Sequence, residues 1–410
     1  MPPRKKLQRI MFALGIVGAV FLTGEIFIRV AALFVPDVNY LASASFKGRP
    51  RSYDSLESFI ASQKDLIPRR NWANYFTNEL GFNDREFKPG KPPGGYRIMA
   101  LGDSFCYGMV PYPANIQTLA EAQLDRGCGE GVEILNMGLP GAHTWEYEVL
   151  FKLAEPVYEP DLVVIHFYMG NDGPDLVRHL TGVPVLANPI FSSYLISYIR
   201  NSMKILKGIE KHSDQGTFGP VQQKPKGDPE ARGGQRIDPD LSDPDDSSPS
   251  YSQPRFTVPA FAKQMADELV RFHDPGPEAA ARDWRPVIGN LEAIRQAAIE
   301  RGVKAVLVLY PSVLQVYPDR LARTVAEVSY LGRIENFDPD RVDPASPNRF
   351  LEDYARRNKM PFLDLTPALI MAAQASAAPL YLNRDTHWNF RGNRVAARAE
   401  ADFLGTLIRE

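Results

Sequence analysis

The sequence has few cysteines and almost no net charge. Its two cysteines, Cys106 and Cys128, are too few for a disulfide-stabilised scaffold or for a cysteine-rich metal site. They either form one disulfide bond outside the cytosol or remain free thiols. The formal net charge of -2 at pH 7 provides no overall positive charge that would attract a phosphate backbone. The composition therefore argues against a nucleic-acid partner.

Only one apolar run in the sequence is long enough for a membrane span. Residues 10–35 are apolar apart from Glu25 and Arg29, whose i,i+4 spacing allows an ion pair along one helix face. Residues 1–9 are basic, which predicts that this end faces the cytoplasm. A cleaved signal peptide is the alternative, but the run is long for one and lacks a clear cleavage site. We predict a cytoplasmic flank at 1–9 and a single transmembrane anchor at 10–35, with the rest of the chain in the bacterial periplasm.

Residues 36–95 are polar and mixed, and we interpret them as an extracytoplasmic arm or linker folded onto the next domain. Four aromatic side chains cluster there: Trp72, Tyr75, Phe76 and Phe82. Aromatic clusters usually pack into a core, and a sugar-binding face is the alternative. Proline and glycine dominate residues 88–95, which predicts a hinge before the first strand.

Short apolar runs alternate with helical patterns after residue 95. The predicted strands are 97–101, 132–136, 161–168, 303–310 and 361–365, and the predicted helices are 116–124, 145–153, 261–272, 284–301 and 391–407. Strands that are buried on both faces form continuous apolar runs, and helices between them favour a parallel sheet. We therefore predict an α/β fold with a central parallel sheet of about five strands.

An insertion at residues 174–282 interrupts this alternation and carries no clear strand. An apolar helical pattern covers residues 189–209. Residues 213–253 consist mainly of Pro, Asp, Gly, Ser and Lys, with almost no large apolar side chains. Such a stretch cannot bury enough surface to order itself, so we predict that it is disordered.

Chemically useful residues stand where predicted strands end. Ser104 follows the first strand, Gly138 the second and Asn171 the third, while Asp385 and His387 precede the last helix. In a doubly wound sheet these strand ends meet at one edge. We predict that Ser104 is a nucleophile, that His387 is its base and that Asp385 orients the imidazole. The N–H groups of Ser104 and Gly138 and the Asn171 amide would stabilise the oxyanion.

Four short blocks carry these residues in a fixed order. Gly102-Asp103-Ser104-Phe105 comes first, then Gly138, then Gly170-Asn171-Asp172, and finally Asp385 with His387. In this order the blocks resemble the SGNH (GDSL-type) hydrolase superfamily, over residues 96–410. The resemblance implies a flavodoxin-like three-layer α/β/α sandwich and ester hydrolysis through a serine acyl-enzyme. It also implies that neither a metal nor a cofactor takes part.

The final block departs from the commoner family pattern. One residue, rather than two, separates Asp385 from His387, and Trp388 follows. This Asp-x-His-Trp block is similar to that of the alginate O-acetylation proteins of the AlgX and AlgJ kind, although there it precedes the serine. The similarity implies an acetyl group on a polysaccharide and leaves open whether water or a sugar accepts the acyl group.

Several residues have a structural interpretation beside the functional one. Asn171 alternatively caps a turn, and Gly138 alternatively serves only the backbone conformation of its loop. His166 lies inside an apolar strand, so we interpret it as a core residue whose hydrogen bonds are satisfied. Trp388 either packs under the site or touches substrate.

Together these features predict a membrane-anchored, extracytoplasmic serine esterase. It would remove or transfer a short acyl group, taken to be acetyl, on a cell-envelope glycan. Transfer to a sugar instead of hydrolysis is one alternative. A non-catalytic scaffold or glycan-binding protein with the same fold is another, and a lipase that acts on the membrane itself is a third.

Overall fold

The computed structural model describes residues 3–34, 53–72, 75–128, 131–174, 195–196, 198–199, 202–203, 255–274, 276–331 and 337–409. The chain forms two compact units, Met1–Tyr53 with Val183–Gly227 and Asp54–Gly182 with Asp228–Glu410. The stretch predicted to be disordered, 213–253, lies outside the described residues, and the helical pattern over 189–209 lies mostly outside them. The domain boundaries given above remain predictions.

The first unit contains the N-terminal helix α1, Pro3–Phe34. The Nε of Arg29 lies 2.7 Å from Oε1 of Glu25, so the ion pair that the spacing predicted is confirmed. Glu25 also accepts a hydrogen bond from the backbone N–H of Leu195 through its other oxygen, at 3.0 Å. Among the described residues, no helix combines the length and the mean hydropathy of a membrane span. The membrane anchor therefore stays a prediction.

The second unit contains seven described strands. They are β1 (Asn71–Trp72), β2 (Tyr75–Phe76), β3 (Tyr96–Gly102), β4 (Val132–Gly138), β5 (Leu162–Tyr168), β6 (Lys304–Tyr310) and β7 (Phe362–Asp364). β1 and β2 form an antiparallel hairpin. The five predicted strands correspond to β3–β7, and β5 is buried along its whole length, as its continuous apolar run predicted.

Eleven helices of the second unit are described. They are α2 (Leu56–Ser62), α3 (Ser104–Tyr107), α4 (Ile116–Cys128), α5 (Thr144–Tyr158), α6 (Val258–Leu269), α7 (Pro277–Glu300), α8 (Val313–Val316), α9 (Pro318–Leu331), α10 (Ser346–Arg357), α11 (Thr366–Ala375) and α12 (Phe390–Ile408). Short 3₁₀ turns lie at Tyr112–Ala114, Val270–Phe272 and Pro339–Arg341. The predicted helices correspond to α4, α5, α6, α7 and α12, whereas α9, α10 and α11 lie where no helix was predicted.

Strands β3–β7 form one parallel sheet in the order β4-β3-β5-β6-β7. This is the 2-1-3-4-5 order of flavodoxin-like doubly wound sheets. The connection from β3 to β4 runs towards one edge of the sheet, and the connection from β4 to β5 crosses back past β3 towards the other edge. Because such crossovers are right-handed, α4 and α5 lie on opposite faces of the sheet. α12 packs beside α4 and α7 packs beside α5, so helices flank both faces and the predicted α/β fold is confirmed.

The segment before the sheet supports the turn that follows β3. The side chain of Asn83 is buried and donates hydrogen bonds to the carbonyls of Tyr107, Gly108 and Val110 at 3.0, 3.0 and 2.8 Å. Phe82 is buried, which agrees with the interpretation of the aromatic cluster as packing. Residues of the predicted arm therefore contact the loop just after Ser104.

Candidate active site

Ser104 stands at the junction between β3 and the short helix α3. The side chain of Asp103 caps this helix by accepting the N–H of Phe105 at 2.8 Å. Gly102, the last residue of β3, has no room for a side chain, since a Cβ there would lie 2.5 Å from the Cβ of Cys106. The tight exit from the strand places Ser104, half-buried, at the carboxyl edge of the sheet.

Ser104, His387 and Asp385 form one hydrogen-bonded array. The Nε2 of His387 lies 2.7 Å from the Oγ of Ser104, and its Nδ1 lies 2.6 Å from Oδ1 of Asp385. The same carboxylate oxygen accepts the backbone N–H of His387 at 3.1 Å. An ionised carboxylate can only accept, so Nδ1 carries the proton and Nε2 accepts from the serine hydroxyl. The one-residue spacing between Asp385 and His387 therefore permits the orientation that a triad requires.

The charges of this array shift both pKa values. Burial alone would lower the pKa of His387, but the charge and the hydrogen bond of Asp385 outweigh it and raise the pKa above 6.5. Burial alone would raise the pKa of Asp385, but His387 outweighs it and holds that pKa below its ordinary value. The aspartate is thus an anion over the range in which the imidazole titrates.

Asn171 lies at the site, but both of its amide hydrogens have acceptors. Its Nδ2 donates to the carbonyl of Ala142 at 2.7 Å and to Oδ2 of Asp103 at 3.2 Å. An oxyanion can gain this donor only by replacing one of these acceptors, and the longer bond to Asp103 is the weaker one. Burial raises the pKa of Asp103, against the opposing effect of its hydrogen bonds with Phe105 and Asn171.

Gly138 has a packing role in the described structure. Its N–H donates to Oδ1 of Asn136 at 3.1 Å, so the predicted oxyanion donor is already engaged. A Cβ at Gly138 would lie 2.1 Å from the backbone nitrogen of Tyr107, so only glycine lets α3 pass the end of β4. Gly141, three residues on, is exposed and has a φ of +72°. Its neighbour Ala142 contacts Asn171, which places a second glycine of this loop beside the site.

A cluster of aromatic rings packs against the imidazole of the triad. Phe105 stacks on Tyr168 with ring centroids 3.8 Å apart, and its centroid lies 4.8 Å from that of His387. Trp388 meets Phe105 edge-on at 5.3 Å and is only 2% exposed. Of the two interpretations of Trp388, packing under the site is therefore the one the structure supports.

His166 is a satisfied core residue, as predicted. Its Nδ1 lies 3.1 Å from the carbonyl oxygen of Leu101, and its Nε2 lies 2.9 Å from Oε1 of Glu400. A carbonyl can only accept, so Nδ1 donates to Leu101. Cys106, two residues after the nucleophile, is a buried free thiol. Within the described part of the chain, no group of three Asp, Glu, His or Cys side chains could hold a metal ion.

The return of the insertion to the sheet contributes residues that the sequence analysis missed. Gln264 of α6 donates to the hydroxyl of Thr386 at 3.0 Å, and Nε of Arg255 lies 3.8 Å from Oδ2 of Asp385. Glu268, one turn after Gln264, accepts from the hydroxyl of Tyr168 at 2.9 Å. Gln264 and Glu268 are spaced i,i+4 on a face of α6 that is otherwise largely apolar. Two polar side chains on such a face are the sequence feature that could have identified them as residues near the site.

One family model matches a segment of the chain that includes part of this site. Residues 277–408 match the family described as "SGNH hydrolase-like domain, acetyltransferase AlgX". Over these residues the chain is similar to an SGNH hydrolase-like domain. The match includes Asp385 and His387, whereas the SGNH blocks around Ser104 and Asn171 lie before it in sequence. With its hydrogen-bonded triad, the protein is an enzyme of the ester hydrolase or O-acyltransferase type.

Among solved structures, the chain is similar to the following three at low sequence identity. An acetyl xylan esterase is 13% identical, with a TM-score of 0.36, over 75% of this chain and 98% of that one. A putative acylhydrolase from Bacteroides fragilis is 13% identical, with a TM-score of 0.33, over 78% and 90%. A putative G-D-S-L family lipolytic protein from Desulfitobacterium hafniense is 12% identical, with a TM-score of 0.34, over 75% and 99%. No curated protein matches the chain.

Proposed function

We propose that this SGNH-type enzyme forms an acyl-enzyme on Ser104 and passes a short acyl group, acetyl, between a cell-envelope glycan and an acceptor. The observation that carries the proposal is the array in which His387 bonds both Ser104 and Asp385, at 2.7 and 2.6 Å. A serine hydroxyl is a weak nucleophile by itself, and this array supplies the base and the orienting carboxylate that activate it.

The reaction begins when the Oγ of Ser104 attacks the ester carbonyl and its proton passes to Nε2 of His387. The imidazolium then delivers this proton to the leaving alcohol oxygen, and the acyl group remains on Ser104. An incoming water or sugar hydroxyl gives its proton to His387 as it attacks, and the serine oxygen recovers that proton on leaving. Asp385 stays ionised throughout and stabilises the imidazolium.

The oxyanion formed in each step needs hydrogen-bond donors. The backbone N–H of Ser104 donates to no residue that the structure describes, so it is available. The amide of Asn171 becomes available by exchanging its 3.2 Å bond to Asp103. The N–H of Gly138 becomes available by exchanging its 3.1 Å bond to Asn136. Loss of one such donor typically costs about 10²–10³ in rate.

Transfer to a sugar hydroxyl is the second candidate, and two observations favour it. The matched family is described as that of an acetyltransferase. The return of the insertion also packs against the His387 loop through Gln264 and Arg255, and the side chain of His387 is only 15% exposed. A site that is partly covered limits access of water to the acyl-enzyme, which favours transfer over hydrolysis.

We further propose that α1 anchors the enzyme in the bacterial inner membrane. Large apolar side chains are exposed along this helix: Phe12, Ile16, Val17, Val20, Phe21, Leu22, Ile26, Phe27 and Val30. Exposed apolar surface on that scale marks a membrane or protein contact. The glycan substrate is proposed because a periplasmic enzyme anchored in this way faces the cell envelope.

The first test is covalent labelling of the full chain in detergent with a fluorophosphonate, followed by intact-mass analysis. We expect one adduct on the wild-type protein and none on Ser104→Ala or His387→Ala. The buried thiol variant Cys106→Ala is the matched control, two residues away, and it should still be labelled. Absence of an adduct on the folded wild-type protein would favour the non-catalytic scaffold instead.

The second step separates hydrolysis from transfer. With a phenyl acetate donor, release of acetate without an acceptor indicates hydrolysis, and a gain of one acetyl mass on added oligosaccharides indicates transfer. A rate that rises with acyl chain length would instead support a lipase. Each reaction should be lost in Ser104→Ala, since all of them pass through the same acyl-enzyme.

A further inference from the structure

A buried network of polar side chains packs against the loop that carries Asp385 and His387. It joins Thr386, which lies between these two residues, to Tyr168 at the end of β5 and to Glu268 of α6. Thr386, Tyr168 and Glu268 are 1%, 4% and 2% exposed. A polar group buried this deeply costs free energy unless it is hydrogen-bonded, so each member of the network depends on the others.

The hydrogen bonds of this network run in one direction, towards the carboxylate of Glu268. The amide of Gln264 donates to the hydroxyl oxygen of Thr386 at 3.0 Å. Burial raises the pKa of Tyr168 well above its ordinary value, and a hydrogen bond from the hydroxyl of Thr386 opposes this rise. Tyr168 in turn donates to Oε1 of Glu268 at 2.9 Å, and Ser312 donates to Oε2 at 2.5 Å. Because each hydroxyl has a defined acceptor, the chain of bonds favours a single arrangement.

The ring of Tyr168 also contacts the nucleophile side of the site. It stacks on Phe105, the residue after Ser104, with ring centroids 3.8 Å apart. The centroid of Phe105 lies 4.8 Å from that of His387. The ring of Tyr168 folds back over the turn that follows β5, since a Cβ at Gly170 would lie 2.4 Å from the Tyr168 hydroxyl oxygen. One side chain therefore contacts the neighbours of both the nucleophile and the base.

The carboxylate that completes this network comes from α6, the helix through which the insertion returns to the sheet. Burial raises the pKa of Glu268, and the hydrogen bonds from Ser312 and Tyr168 oppose this rise. Gln264, one turn earlier in the same helix, holds Thr386 from the other side. The returning helix thus takes part in ordering the loop of the triad, in addition to covering the site.

We infer that Tyr168, held by Glu268, is a positioning residue that fixes the approach of Ser104 to His387. This role rests on the proposed function, because it concerns the reaction of the triad. The ring of Tyr168 holds the residue after the nucleophile, and its hydroxyl holds the residue before the base. A misplacement of reacting atoms by about 1 Å can cost about 10² in rate, so a side chain that acts only through its neighbours can still control turnover.

The test is steady-state turnover of phenyl acetate by the full chain in detergent. Tyr168→Phe removes one hydroxyl and keeps the ring that stacks on Phe105. We expect kcat to fall about tenfold to a hundredfold, because the lost group orients the reacting atoms. KM should stay within about twofold of the wild-type value, because the hydroxyl does not bind substrate.

Two changes at Thr386 test whether the hydrogen bond to Tyr168 carries this effect. Thr386→Ser keeps the hydroxyl and should keep most of the wild-type kcat, whereas Thr386→Val removes the hydroxyl and should lower kcat. The double variant Tyr168→Phe with Thr386→Val should be no slower than the slower single variant, because both changes interrupt the same chain of hydrogen bonds. Fully multiplicative losses would show that the two residues act independently.

Tyr354→Phe is the matched control. Tyr354 of α10 is 5% exposed, and its hydroxyl also donates to a carboxylate, that of Glu292 in α7, at 3.2 Å. The control therefore removes the same kind of buried bond from another part of the molecule. We expect its melting temperature to fall about as far as that of Tyr168→Phe, with kcat unchanged. This comparison separates positioning from a general loss of stability.

The proton on Nδ1 of His387 gives a second readout that does not depend on turnover. It lies in the 2.6 Å hydrogen bond to Asp385, and protons in such short bonds resonate far downfield in NMR spectra. Loss of the signal in His387→Ala assigns it. We expect the signal to shift or broaden in Tyr168→Phe and to stay unchanged in Tyr354→Phe.

Three results would overturn the inference: an unchanged kcat and NMR signal in Tyr168→Phe, a loss that appears only in KM, or an equal loss of kcat in Tyr354→Phe. Failure of the proposed function looks different. A wild-type chain that shows the His387 signal but neither labels at Ser104 nor turns over the ester would reject the proposed reaction. The signal in the two tyrosine variants would still decide the positioning role of Tyr168.

Discussion

At the scale of single residues, the imidazole of His387 lies between a hydroxyl and a carboxylate. The Asp385 charge raises the pKa of His387 above 6.5. His387 must be neutral to accept the proton of Ser104, so kcat/KM should fall as pH drops through this raised pKa. Removing the charge in Asp385→Asn should move the acid limb to lower pH, since the charge and hydrogen bond of Asp385 are the main effects that oppose burial. The plateau rate should also fall by about 10⁴.

The measurement is a pH–rate profile with a soluble acetate ester. Asp267→Asn is the control, since the Asp267 carboxylate lies on the outer side of α6, is about half exposed, and forms an ion pair with Lys263 of the same helix. This control should keep the wild-type profile. An acid limb that stays at the same pH in Asp385→Asn would show that another group titrates, and His387 would lose its assignment as the base.

The sequence was enough to predict which residues form the candidate site, but not all of the hydrogen bonds that they make. The blocks around Ser104, Asn171, Asp385 and His387 were each predicted, and the structure brings them together. Their catalytic roles remain predictions until activity is measured. The acceptors of Asn171 and the partner of Gly138 could not be predicted, because a choice among nearby hydrogen-bond partners depends on loop geometry within a few tenths of an ångström.

At the scale of elements, the close approach of α3 to β4 depends on one glycine. Replacing Gly138 by alanine would place a Cβ 2.1 Å from the backbone nitrogen of Tyr107. Backbone cannot move aside as a flexible side chain can, so α3 should shift and carry Ser104 with it. We expect about 3 kcal/mol or more of lost stability on denaturant unfolding, together with loss of fluorophosphonate labelling.

Gly127→Ala is the control for this change. Gly127 lies in α4, where an added Cβ meets no atom within 4 Å, so alanine should be tolerated and should slightly favour the helix. If Gly138→Ala unfolds like the wild-type protein and still labels, the passage of α3 past β4 does not require glycine. The assignment of Gly138 as a packing residue would then be wrong.

The sheet was easier to predict than the helices around it. β3, β5 and β6 are continuous apolar runs that end in polar turns, and this pattern has few alternatives. α9, α10 and α11 start at or beside a proline: Pro318, Pro347 and Pro367. Proline fits the first turn of a helix, because the N–H it lacks has no partner there. In the sequence alone, the same prolines are equally typical of loops, so these three helices were not predicted.

At the scale of the whole molecule, the proposed anchor predicts the compartment in which the catalytic unit lies. If α1 spans the membrane, the basic residues before position 10 favour an N-terminus in the cytoplasm. A single span then places Glu410 in the periplasm. We expect alkaline phosphatase fused after Glu410 to be active, because it folds only in an oxidising compartment. Green fluorescent protein fused at the same position and exported by the general secretion route should not fluoresce.

Membrane attachment needs its own readout, because export alone does not distinguish an anchor from a cleaved signal. The wild-type chain should stay in the membrane fraction through alkaline carbonate washing and retain the mass of residues 1–410. Val17→Asp with Val20→Asp places two charges among exposed apolar residues of α1 and should weaken this retention, since each charge costs about 2.5–3.5 kcal/mol at the centre of a span. A shortened, soluble periplasmic protein would instead establish the signal-peptide alternative. The catalytic unit would then reach its substrate by diffusion and would not be held at the membrane.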